Sequence, residues 1–97
     1  MTGFSEVTRS EITARAGGRC EARCASDCRR VGSYCHHRLL RRHNDHTTVN
    51  GLFVCLPCHD RIHKVGSAAY ERGFLVHSWE EPGNVRVVPG LFVKGLG

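Results

Sequence analysis

Gly51-Leu52-Phe53-Val54-Cys55-Leu56-Pro57-Cys58-His59-Asp60-Arg61-Ile62-His63 is the stretch on which the fold turns. Its first five residues form an apolar run of strand length opened by a glycine. Pro57 suits the first turn of a helix, where its missing N–H is of no consequence and its φ is already helical, and the pattern carries that helix to about Val65. Cys55 and Cys58 therefore sit at a strand-to-helix junction. The tight turn brings their sulfurs together, so both thiolates can face one ion, and a tetrahedral zinc site then needs two more ligands from elsewhere. His59 and His63 are four residues apart on the helix. They lie one turn along the same face, so both imidazoles can reach one cation.

Upstream, Tyr34 to Leu40 predicts a strand, and Arg41 to Asn50 a polar connection with Asn44-Asp45 as its turn. The order across the middle of the chain is strand, loop, strand, helix, the pattern of a small α+β domain. Cys35-His36-His37 lies on the first of these strands. Successive strand residues face opposite sides, so His36 and His37 should not share one task. One can join His59 and His63 on a metal while the other faces a substrate, and the spacing does not choose between them. A lone histidine is more often solvated or hydrogen-bonded than reactive. His43, His46 and His77 have no company at ligand spacing and read as surface residues.

Towards the N-terminus, residues 5–16 predict a short helix, with Ser5 as N-cap and Gly17-Gly18 as its stop. Arg19 to Ser33 has no clear period and reads as a loop held by something other than packing. It contains Cys20, Cys24 and Cys28, with Cys35 just beyond. Towards the C-terminus, Ser67 to Arg72 predicts a second helix ended by Gly73, and Phe74-Leu75-Val76 a strand. Glu81-Pro82-Gly83-Asn84 predicts a turn leading into Val85–Val88. Pro89 to Gly97 is apolar but broken by glycine, either an edge strand or a loose tail. No repeat, low-complexity tract or linker divides the chain, so residues 1–97 read as one domain.

A chain of 97 residues buries a thin core. Chains of this size commonly need a staple, and six cysteines with seven histidines make a metal the first candidate. Metal-binding free energy becomes folding free energy where the unfolded chain has no preformed site. Three disulfides in a secreted protein are the rival. Met1 to Gly18 contains no apolar stretch resembling a signal peptide, and no segment is apolar enough to span a membrane. The expectation is therefore a reducing cytoplasm, where Cys-x-x-Cys means metal or redox chemistry. A redox dithiol would open a helix within a βαβ unit, a pattern this chain lacks. The formal charge is +5, from 14 Lys and Arg against 9 Asp and Glu, with runs at Arg29-Arg30 and Arg38-Leu39-Leu40-Arg41-Arg42. Guanidinium groups suit phosphate oxygens. A balance of this size is equally common in soluble domains that bind no nucleic acid.

Taken together, His36-His37, Asn50 and Cys55-Leu56-Pro57-Cys58-His59-Asp60-Arg61-Ile62-His63 resemble the HNH endonuclease motif. Gly17-Gly18-Arg19-Cys20-Glu21 resembles the start of the zinc-bound subset found in phage and bacterial genomes. The likeness covers about residues 15 to 80, with the motif core at about 19–66. It implies a ββα-metal (His-Me finger) core with flanking short helices and a structural zinc site of four cysteines. It also implies a metal-dependent DNA endonuclease, a phosphodiester hydrolase of phage origin that works in the cytoplasm of a bacterial host, with phage packaging proteins as suggested partners.

Position by position, the resemblance makes His36 a ligand of the catalytic divalent ion, with His59 and His63 as the others. His37 becomes the general base, and an imidazole with an ordinary pKa near 6.5 can accept a proton at neutral pH. Asn50 fixes the base-bearing strand or supports the metal. The catalytic ion is implied to be Mg²⁺ or Mn²⁺, though three histidines also suit Ni²⁺ or Zn²⁺. Relatives look like Cys-Glu-x-Arg followed by a second cysteine eight positions after the first. That picks Cys20 and Cys28 to join Cys55 and Cys58 on zinc, with Cys24 the alternative to Cys28. Arg38, Arg41 and Arg42 are the expected DNA contacts, and 5′-phosphate and 3′-hydroxyl ends the expected products of nicking or double-strand cutting.

Two departures stand out. Many relatives have Gly-Gly between the histidine pair and the asparagine, where this chain has His43-Asn44-Asp45-His46. Gly51 follows Asn50 where the family usually has an apolar residue. The rivals to a nuclease are a zinc-stabilised nucleic-acid-binding module that does not cut, and a redox or metal-buffering protein. A pure binder has no use for His36, His37, His59 and His63 together.

Overall fold

The computed structural model describes residues 3–40 and 45–92. Arg41, Arg42, His43, the Asn44 half of the expected turn and the last five residues of the tail lie outside the described residues. Helix α1 spans Glu6–Ala16, strand β1 Tyr34–His37, strand β2 Gly51–Val54, helix α2 Leu56–Val65 and helix α3 Ser67–Glu71. Single 3₁₀ turns at Thr48–Asn50 and Pro82–Asn84 complete the described elements. The architecture is α+β, with one two-stranded antiparallel sheet among the described residues.

Local chemistry sets the helix ends. Ser5 accepts the Thr8 N–H at 3.1 Å and caps α1, and Gly17 ends it in the left-handed region at φ 63°. Pro57 lies in the first turn of α2, where no intrahelical N–H is required. In the hairpin, Tyr34 pairs with Val54, Cys35 with Phe53, His36 with Leu52 and His37 with Gly51. Leu52 and Val54 turn to the core, where they meet Ile62 from α2, Ala69 from α3, and Phe74.

Helix α1 packs on β2 so closely that a Cβ at Gly51 would lie 2.1 Å from Ile12 Cδ1. Glycine at this position, where the resembled family has an apolar side chain, is thus explained: Ile12 and Phe4 occupy the space that such a side chain would fill. The cysteine-bearing loop covers the other edge of β2. The Glu21 N–H donates to the Phe53 carbonyl at 2.7 Å, and the Glu21 carboxylate accepts the Phe53 N–H at 2.9 Å. Arg15 pairs with the same carboxylate and donates to the carbonyls of Thr48 and Gly51. One ion pair therefore ties α1, the loop and β2 together.

Two expectations are corrected here. Strand β1 stops at His37 and does not reach Leu40. Phe74-Leu75-Val76 is not a strand. The Phe74 carbonyl, which a strand would pair with a backbone N–H, is bonded by His36 Nε2 instead. Nearby, the buried guanidinium of Arg38 donates to the carbonyls of Gly73, Val49, Pro82 and Val85. Phe74, Leu75 and Val76 are apolar because they are buried, a pattern that periodicity alone cannot tell from a strand.

Candidate metal centres

The junction of β2 and α2 gathers Cys55 and Cys58, and the loop docked on β2 brings Cys20 and Cys28 to them. All four Sγ atoms lie within 4.8 Å of one another. Cys28 and Cys55 Sγ are 3.8 Å apart. Four sulfurs at about 2.3 Å from a central zinc stand about 3.8 Å apart along each edge of the tetrahedron, so the spacing fits zinc. Cys20, Cys55 and Cys58 are fully buried and Cys28 is half-buried.

Backbone amides point at the cluster: the Arg29 N–H at Cys55 Sγ (3.5 Å) and the Arg30 N–H at Cys28 Sγ (3.4 Å). Burial pushes the Cys58 and Cys28 thiols up. At Cys55, burial also acts upwards, but the amides of Arg29 and Cys58 and the adjacent sulfurs outweigh it and hold that thiol below its ordinary range. A dication is the countercharge that lets four such thiols ionise together.

None of the six cysteines is in a disulfide. Cys24 is buried beside the cluster, its thiol directed at the Cys58 carbonyl at 3.8 Å and pushed up to about 11 by burial. The four-sulfur group includes Cys28 and not Cys24. Cys35 stands apart on β1, half-buried, its thiol also pushed up by burial.

The second cluster forms where β1 crosses α2. Ligand nitrogens of His36, His59 and His63 lie within 4.8 Å of one another. Their ring centroids are 5.4 Å (His36–His59), 5.3 Å (His36–His63) and 4.7 Å (His59–His63) apart. His36 is 3% exposed, and its Nε2–H donates to the Phe74 carbonyl at 2.9 Å. That bond selects the tautomer and leaves the Nδ1 lone pair for a cation, the usual way a ligating histidine is oriented from behind. Burial, reinforced by His59 and His63, lowers the His36 pKa to about 3. His59 is lowered as well, by burial first and then by His63. Both rings are therefore held neutral, the form that binds metal. His63 is exposed, so the cluster opens to solvent.

His37 points to the other side of the strand from His36, as alternation requires. Its ring stacks on Phe4 at 3.8 Å with an interplanar angle of 5°, and its Nε2 lies 3.0 Å from His46 Nδ1. A cleft of about 710 Å³ is lined by His36, His37, His59 and His63, with Tyr34 and Phe4 at its walls. A larger cleft, of about 1180 Å³ along α1 and Phe4, contains no histidine, so volume alone does not locate the chemistry.

Asn50 is completely buried. Its Oδ1 accepts the Leu39 N–H at 2.6 Å, and its Nδ2 donates to the carbonyls of Leu39 (3.1 Å) and Asp45 (2.6 Å). The side chain thus pins both ends of the connection that follows β1. These are the contacts of a positioning residue.

Arg38 is a correction. Expected to contact DNA, it is 4% exposed and its donors are held by four carbonyls. It belongs to an arginine run in sequence but is an internal clamp in the fold. Arg41 and Arg42 lie outside the described residues. Two side chains read as surface histidines are engaged. His46 meets His37, and His77 stacks between Tyr70 and Trp79. A partial signal for the first was legible in Asp45-His46-Thr47, since Asp45 Oδ1 accepts the Thr47 N–H in a local turn that holds His46. Comparison of the chain with protein-family models, with curated proteins and with solved structures returns no match.

Proposed function

We propose that this chain is a metal-dependent DNA endonuclease of the HNH type, with β1, β2 and α2 as a ββα-metal core stabilised by structural zinc. The observation that carries this reading is the convergence of His36, His59 and His63 nitrogens within 4.8 Å in the cleft that His37 also lines. Three imidazoles leave open coordination positions, unlike the closed sulfur set. A divalent ion bound there, Mg²⁺ or Mn²⁺, supplies charge that offsets what develops on a phosphodiester during displacement.

The protein's own groups do the rest. His37 takes the proton of the attacking water. The ring it becomes is stabilised by Nε2–H donation to His46 Nδ1, at 3.0 Å, and its plane is held by Phe4. Asn50 holds the connection after β1 and so the direction of the histidine-bearing strand. Phe74, through its carbonyl, keeps His36 turned with Nδ1 towards His59 and His63.

The test is purified protein on supercoiled plasmid with and without Mg²⁺ or Mn²⁺, beside His37→Ala. We expect divalent-dependent nicking that falls at least about 100-fold in the variant while DNA binding persists. Equal cutting by both proteins would remove His37 as base. Binding without any cutting by the unaltered protein would favour the non-cutting zinc module.

A further inference from the structure

Tyr70, His77 and Trp79 form a continuous stack of parallel rings. Tyr70 and His77 lie 4.0 Å apart at 8°, and His77 and Trp79 4.4 Å apart at 4°. Trp79, the single tryptophan of the chain, ends the stack and is 79% exposed. The turn that presents it is closed from both sides. The Glu80 N–H donates to the His77 carbonyl at 3.0 Å, and the His77 N–H donates to the Glu80 carboxylate at 3.1 Å. The inner end is anchored on α3, where Tyr70 is half-buried. A lone exposed apolar side chain needs no explanation. A flat indole held at the end of a rigid ladder, with little left to lose in side-chain entropy, is a surface prepared for another flat ring.

We propose that Trp79 is a stacking platform for an unpaired nucleobase, so that the protein engages single-stranded or locally opened DNA beside its histidine cleft. This rests on the nucleic-acid reading above and adds the form of substrate. Position favours it. Leu40 walls both the histidine cleft and the small cleft lined by Tyr70, His77 and Trp79. The segment leading to the platform also carries Phe74, which orients His36, and Val76, whose N–H donates to the Arg38 carbonyl at 2.9 Å. The chain carries a net +5, while Glu80, whose carboxylate accepts the His77 N–H, and exposed Glu81 adjoin the platform, so the attraction offered here is stacking rather than local charge. Aromatic platforms take bases with little regard to sequence, since every base has a π-face.

Because Trp79 is the only tryptophan, its emission reports on the platform directly. The 97-residue chain is titrated, without added divalent ion, with a short oligothymidylate and with a blunt duplex of equal length. We expect the single strand to quench emission and, by the anisotropy of a dye-labelled oligonucleotide, Trp79→Ala to weaken its binding about tenfold and Trp79→Phe to restore most of it. Duplex affinity should change less than about twofold in either variant, since phosphate contacts dominate there. Emission unchanged at saturating oligonucleotide, or equal single-strand affinity for Trp79→Ala and the unaltered protein, overturns the proposal. An emission change that follows protein concentration alone would assign this face to self-association and overturn it too. The two readings fail separately. Plasmid cutting without quenching removes the platform and keeps the nuclease, while quenching without cutting does the reverse.

Discussion

The sulfur cluster and the imidazole cluster share helix α2, yet they differ sharply in exposure. Cys55 and Cys58 open α2, and His59 and His63 follow them on it. The sulfur set is shut, with three members at 0% exposure. The imidazole set runs from buried His36 through half-buried His59 to exposed His63. Closed tetrahedral sets hold folds together, and sets with open positions admit substrate. In so small a domain, burial rather than ligand proximity is what distinguishes the two sets.

Removing one ligand from each side tests that distinction most severely. Cys58→Ser should abolish the tightly bound zinc, measured as metal per chain, and with it the cooperative thermal transition. A structural zinc contributes on the order of 10 kcal/mol to such folds. His63→Ala should leave zinc in place and cost about 1 kcal/mol or less, as an exposed side chain does. Equal losses of stability would mean that both clusters are structural.

Arg38→Ala comes next. Leaving the carbonyls of Gly73, Val49, Pro82 and Val85 without their donor should cost about 3 kcal/mol in urea unfolding. Gly73 adjoins Phe74, which orients His36, so the variant should keep its zinc while binding of Mn²⁺ at the histidines weakens. A variant as stable as the parent would show that the clamp is not needed.

Acid should act on the histidine side through His36. Its folded pKa, about 3, is below the unfolded value near 6.5, so between these values the unfolded chain binds the proton that the buried ring refuses. This contribution is fully present above about pH 6.5 and is lost as the pH falls towards 3, by up to about 1.4 kcal/mol per pH unit. Without added divalent ion, His36→Gln should flatten the profile by that amount in pH-resolved unfolding. An unchanged slope would contradict the burial of His36. A small effect is expected at Cys24, on the sulfur side. Cys24→Ala should retain zinc and cost about 1 kcal/mol, whereas Cys28→Ala should lose zinc. The reverse result would put Cys24 in the ligand set.

Amino-acid order was enough for the elements that local rules govern. Ser5 and Gly17 bounded α1, Pro57 placed the start of α2, and the four-residue step from His59 to His63 put both rings on one face. Strand alternation separated His36 from His37, though not which of them meets His59. These features were legible because they depend on spacing along a single element. The remainder came from contacts between distant segments. Folding turned His36 inward through the Phe74 carbonyl, brought His46 to His37, and selected Cys28 over Cys24. It also drew Arg38 out of an arginine run into the interior, and it buried residues 74–76 without making them a strand. Each of these outcomes joins residues far apart along the chain, and no local propensity records which buried carbonyl a side chain will find.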